Sequence, residues 1–172
     1  MGGKPQPQKV YDQQMANSQV RILILACGNT LRSDDGIGPW LAQWAQEKFA
    51  ANPAIRVIER QQWTPDLAED IAQAAAVLFI DCSIQQAPGE VLLTEVQPTA
   101  PDSQMTHHIS AEQLLAVARD LYNAHPSHAS LLTIGAGSTA LGETFSQPVF
   151  NAIPQACDLL QHTVNAWQSE NG

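Results

Sequence analysis

Apolar positions along the 172-residue chain fall into short blocks whose period changes from one block to the next. Residues 21–26 (Arg-Ile-Leu-Ile-Leu-Ala) and 76–80 (Ala-Val-Leu-Phe-Ile) are near-continuous apolar runs, the pattern of strands covered on both faces. Residues 55–59 alternate, and 90–96 and 130–135 read as further strands. Between the strands the period lengthens. Ile37, Trp40, Leu41, Trp44 and Phe49 stand near helical spacing and place a helix over 36–51. Thr64-Pro65-Asp66 has the order of an N-cap, a first-turn proline and an acid favoured by the helix dipole, so a helix starts there and ends before residue 76. Ser110 with Gln113 three residues later is a capping-box start. A closing helix covers 148–167, and Pro154 either kinks it or sets its true start.

Strands alternating with helices predict an α/β fold: a three-layer arrangement with a twisted, mostly parallel sheet of about five strands and helices on both faces, phosphorylase/hydrolase-like. The first and third strands are expected at the centre. Residues 90–96 follow the third strand without an intervening helix, which predicts an antiparallel strand at an edge. Residues 1–19, rich in Gln, Lys, Pro and Asn, are expected to be a flexible extension, and 20–172 a single domain.

Composition narrows the partners. The formal net charge of -9 and pI near 4.7 argue against nucleic acid and against an anionic membrane surface. Cys27, Cys82 and Cys157 are odd in number and widely spaced, with no CxxC pair, which points to a reducing cytoplasm. No signal peptide or membrane span is expected.

In parallel sheets ligands bind beyond the carboxyl ends of the strands. Asp34-Asp35 follows the first strand and Asp81 ends the third, so two acidic features fall at that edge. Either alone is explained as a cap or turn residue. Together they are harder to dismiss, because clustered carboxylates repel unless a cation or proton separates them. His107-His108 precedes the helix at Ser110 and can approach the same edge, completing a mixed N/O set suited to a divalent transition metal. His125, His128 and His162 are expected in loops or on the surface.

Other chemistries fit less well. Gly28 to Gly38 does not match GxGxxG, and two aspartates before a helix would repel a pyrophosphate. A phospho-accepting receiver needs a lysine near the end of its fifth strand, whereas the lysines here are Lys4, Lys9 and Lys48. Nothing basic flanks Cys27 or Cys82 to lower a thiol pKa, and no GxSxG elbow is present.

The series Gly28-Asn29-Thr30-Leu31-Arg32-Ser33-Asp34-Asp35-Gly36-Ile37-Gly38 resembles the GNxLxxDDGxG pattern of the hydrogenase maturation proteases. The resemblance extends to Phe79-Ile80-Asp81, Pro88-Gly89, His107-His108-Ile109-Ser110 and Gly142-Glu143-x-x-Ser146, and spans residues 21–167. It implies a metal-dependent endopeptidase that recognises nickel in the nickel–iron hydrogenase large-subunit precursor and removes its C-terminal peptide. Carried over by position, Asp35, Asp81 and His107 are the implied catalytic and metal-binding residues, with His108 in reserve and Asp34 as support rather than ligand. Nickel then belongs to the substrate, either polarising the scissile carbonyl, activating water or licensing cleavage. No organic cofactor is implied, and a monomer is expected. The contrasting expectation is a non-catalytic nickel-binding or chaperone module for the same precursor.

Overall fold

The computed structural model describes residues 21–99 and 109–170. The expected extension over 1–19 and the pair His107-His108 lie outside the described residues. Strand β1 (Ile22–Cys27) leads through a short 3-10 turn (Ser33–Gly36) into α1 (Ile37–Lys48). Then follow β2 (Ile55–Arg60), α2 (Leu67–Ala72), β3 (Ala76–Ser83), β4 (Val91–Glu95), α3 (Ala111–Tyr122), β5 (His128–Gly135) and α4 (Gln147–Glu170).

The five strands form one sheet in the order β2-β1-β3-β5-β4. The first four in that order are parallel, and β4 runs antiparallel at the edge beside β5, as its lack of a preceding helix predicts. The continuous apolarity of β1 and the first part of β3 follows from their central positions: every residue of β1 is buried, as are Ala76 to Ile80. Alternate side chains serve two cores. Ile22, Ile24, Ala26, Ala76, Leu78 and Ile80 pack with α1 and α4, while Leu23, Leu25, Cys27, Val77 and Phe79 pack with α2 and α3. In the second core Trp63 meets Phe79 edge-on, with centroids 5.2 Å apart. This is the expected three-layer arrangement.

Several local expectations are corrected. The stripe that α1 buries is Ile37, Leu41, Ala42 and Ala45; Trp40 stays exposed. Helix α2 starts at Leu67, and Thr64 offers no side-chain cap; Thr64 and Pro65 form only a turn whose carbonyls accept from Leu67 and Ala68. Pro154 sits inside α4, which begins at Gln147, so it does not set the start. Strand β3 continues to Ser83 because it keeps register with β5 (Asp81 opposite Thr133, Cys82 opposite Ile134), which places Asp81 within the strand rather than at its end. His128 is no loop residue: it opens β5, stacks on Trp167 of α4 and pairs with Glu170 at 2.8 Å.

Ser110 does cap α3 as expected. Its hydroxyl accepts from the Gln113 N–H at 3.2 Å, and the Gln113 side chain accepts from the Ser110 N–H at 2.9 Å. Ser110→Ala is expected to cost about 1 kcal/mol. In a domain of this size that lowers the melting temperature by about 2–4 °C. An unchanged calorimetric midpoint would show that packing of Leu114 and Leu115 alone holds the helix.

Among the described residues no helix is long and apolar enough to cross a membrane.

Candidate active site

From β1 the chain goes by α1 to β2 on one side, then by α2 to β3 on the other side of β1. The carboxyl ends of β1 and β3 therefore flank a point where the strand order reverses, where parallel sheets open a crevice. Asp35 lies in the loop leaving β1, and Asp81 lies in the last turn of the ladder of β3.

Two glycines fold the first loop. A Cβ on Gly38 would overlap the Cys27 carbonyl oxygen, so only glycine lets α1 press this closely on the end of β1. Gly28 has φ +148°, and a Cβ there would overlap the Asp35 carbonyl oxygen. Between them, residues 29–36 stand above the sheet edge. Asn29 organises the loop from within: its side chain accepts from the Leu31 N–H at 2.9 Å, and its own N–H donates to Asp35 Oδ2 at 2.9 Å.

The two adjacent aspartates have different tasks. Asp34 is fully buried and accepts four hydrogen bonds from the loop between β5 and α4. Gly137 and Ser138 donate backbone N–H groups to Oδ2 at 2.8 Å, joined there by the Ser146 hydroxyl at 2.8 Å, and the Ser146 N–H reaches Oδ1 at 2.6 Å. Burial alone would raise its pKa, but these donors together outweigh burial and hold the carboxyl below the usual aspartate range. Backbone bonds extend the seam: Ser33 N–H to the Gly142 carbonyl at 2.7 Å, and Gly142 N–H to the Leu31 carbonyl at 3.0 Å. Asp34 therefore neither caps the helix nor faces the crevice as a free carboxylate. It ties two loops together.

Asp35 and Asp81 are each half-buried. Asp81 accepts from its neighbour's backbone, the Cys82 N–H, at 2.7 Å and from the Cys27 thiol. Burial raises the Asp81 pKa, these two donors work against that, and the negative charge of Asp35 adds to the rise. The net direction is upward. The carboxylates are thus close enough to repel, and among the described residues neither makes a salt bridge.

The cysteines are acceptors of that same field. Burial, then the charge of Asp81, pushes the Cys27 thiol far up; Cys82, half-buried and near Asp35 and Asp81, is pushed up to about 12 by its partial burial and then by those charges. Both shifts disfavour the thiolate, which weighs against cysteine nucleophilic catalysis. The Ser146 hydroxyl is committed to Asp34, and among the described residues no histidine is bonded to it. His125 is exposed beside Asn123 and His162 is exposed on α4, away from this edge as expected.

Structure thus brings together Asp35 and Asp81 and assigns Asp34 to support. His107 and His108 fall outside the described residues. Ile109, which follows them, packs against the core that holds Cys27 and Phe79, on the face where Cys27 and Asp81 meet. Among the described residues no group of three or more His, Cys, Asp or Glu is placed to hold a metal ion. Reading the sequence did not assign tasks to Cys27, Gly137, Ser138 or Ser146. Only Ser146 carried a signal, its place in the Gly142-Glu143-x-x-Ser146 stretch of the family resemblance.

No family model and no curated protein sequence matches the chain. Solved structures do. The hydrogenase maturating endopeptidase HybD from E. coli is 19% identical and superposes with a TM-score of 0.66, over 85% of this chain and 93% of that one. The [NiFe] hydrogenase maturation protease HybD from Thermococcus kodakarensis is 23% identical with a TM-score of 0.62, over 83% and 98%. The [NiFe] hydrogenase maturation protease HycI from Thermococcus kodakarensis KOD1 is 20% identical with a TM-score of 0.63, over 92% and 99%. Likeness at these identities is likeness of fold.

Proposed function

We propose that the chain is an endopeptidase of hydrogenase maturation. It removes the C-terminal peptide of a nickel–iron hydrogenase large-subunit precursor once nickel is in place, and it reads the metal, which the substrate carries, with Asp35, Asp81 and His107. The observation that supports this most is the placement of two half-buried carboxylates, Asp35 and Asp81, at the switch point, where among the described residues neither makes a salt bridge. The ordered motif series, and the fold shared with HybD and HycI, point the same way.

The chemistry follows from electrostatics. Two half-buried carboxylates destabilise each other, and a divalent cation presented between them relieves that repulsion. A precursor that brings nickel therefore gains binding free energy that a nickel-free precursor lacks. The protein fixes both carboxylates in advance: the Asn29 N–H holds Asp35, while the Cys27 thiol and Cys82 N–H hold Asp81. A divalent metal with O and N donors can polarise a carbonyl or make a bound water more acidic. Protonated thiols and a committed serine fit a reaction in which no side chain of this chain attacks the peptide.

Incubation of the purified protein with its nickel-loaded precursor tests the proposal. The intact mass of the precursor is expected to fall by that of its C-terminal peptide. A complex that forms and dissociates with the mass unchanged would mean that the chain holds the precursor without cutting it.

A further inference from the structure

A second feature adjoins the Asp35 loop. On the α1 side of the sheet edge a cleft of about 690 Å3 opens between the turn at Gly36, α1 and the start of α4. Trp40 of α1, Phe150 of α4 and Phe145 are its aromatic lining. Glu59, at the end of β2, and Glu143 contribute its charge, and none of the lining residues is basic. The cleft borders the loop that carries Asp35, since Thr30, Ser33 and Gly36 of that loop are among its lining residues.

Folding does not account for these aromatics. Trp40 is 37% exposed and Phe150 61% exposed, whereas the neighbouring Leu41 and Val149 are fully buried. Large aromatics left in water beside a polar rim mark recognition surfaces, where tryptophan is among the residues that contribute most. The volume lies in the range of sites that enclose a ligand of a few residues. The charge is one-sided, and a cationic side chain complements it.

We infer that the cleft binds an extended segment of the precursor next to the scissile bond, a segment presenting one apolar side chain to Trp40 and Phe150 and a Lys or Arg to Glu59 and Glu143. This rests on the function proposed above, since the segment must reach the cleft while the metal reaches Asp35. The cleft then supplies sequence selectivity, and the carboxylate pair supplies metal selectivity. Truncated precursors lacking the segment lose the first and keep the second.

Steady-state cleavage of nickel-loaded precursor, with a binding measurement beside it, tests the inference. Trp40→Ala and Phe150→Ala are each expected to raise KM about tenfold with little change in kcat, the signature of lost uniform binding. Trp40→Phe restores most of the loss. Glu59→Gln with Glu143→Gln raises KM about threefold at low salt and flattens its salt dependence. Leu121→Ala, an exposed apolar residue on α3 across the sheet, changes neither constant. The binding arm uses a fluorescein-labelled peptide spanning the cleavage site and C-terminal extension of that precursor, followed by anisotropy. Wild type that cuts, with KM and peptide affinity unmoved in Trp40→Ala and Phe150→Ala, overturns the cleft and leaves the endopeptidase standing. Wild type that binds the peptide without cutting, with affinity lost in Trp40→Ala, overturns the endopeptidase and leaves the cleft. Wild type that neither cuts nor binds overturns both.

Discussion

Asp35→Asn and Asp81→Asn are each expected to slow precursor cutting about a hundredfold or more, while the protein stays folded. Loss of a residue that supports a metal ligand commonly costs 10- to 100-fold, so loss of the ligand itself should cost at least that. Asparagine keeps the shape and an acceptor oxygen, so the Asn29 N–H and the Cys82 N–H keep their partners. The change removes the charge, and with it the repulsion that a cation relieves, and turns the second carboxylate oxygen into an amide donor. Asp81 bears that repulsion together with burial, so Asp81→Asn is also expected to hold or slightly raise the melting temperature. Cutting rates from single-turnover assays, set beside calorimetry, check both halves. A variant that cuts at the wild-type rate removes its residue from the site.

Asp34→Ala gives the opposite pattern, a large loss of stability. It leaves three backbone N–H groups and the Ser146 hydroxyl without the carboxylate that gathers them in a fully buried position. Buried donors left unsatisfied cost about 1–3 kcal/mol each when nothing replaces the partner. With partial relaxation and water entry the sum comes to roughly 3–5 kcal/mol, comparable to breaking a buried pair. For a domain of this length that is a fall of about 10 °C or more in melting temperature. Asp34→Asn should recover little, because its amide turns donors toward donors. The pH dependence has a definite sign. The folded carboxyl titrates below its unfolded value of about 4, so its stabilisation is fully present above that value and disappears as pH falls through the folded one. The acid destabilisation of Asp34→Ala should therefore be shallower than that of wild type below pH ~4, while the two run parallel from there to neutral pH. A melting temperature within 2 °C of wild type, measured at about pH 7, would show that the seam through Gly142 holds the loops without Asp34.

These two expected outcomes separate neighbouring, chemically identical residues, which the resemblance to the maturation proteases implies as ligand and support. Much of the frame was legible for a similar reason. The uninterrupted apolarity of β1 and β3 encodes central positions, and the missing helix before β4 encodes an antiparallel edge. What stayed hidden depends on contacts distant in the chain. Asp81 lies inside β3 because β5, about 50 residues later, extends the ladder to Ser83. Thr64 fails as a cap because α2 is a six-residue helix positioned by the burial of Leu67 and Ile71, which overrides the local signal. Trp40 fits the helical spacing of a core residue, but its place on α1 turns it into the cleft. His128 carries no local mark of its stack on Trp167, since that partner comes from the far end of α4.

The most direct measurement compares cutting of the same precursor with and without nickel. A single preparation of the nickel-free precursor is divided, one half is loaded, and both are incubated with the protein and followed by intact mass. The account predicts shortening of the loaded half alone, with Asp35→Asn and Asp81→Asn cutting neither. Equal shortening of both halves would contradict it, because the paired carboxylates would then have no part in choosing the substrate.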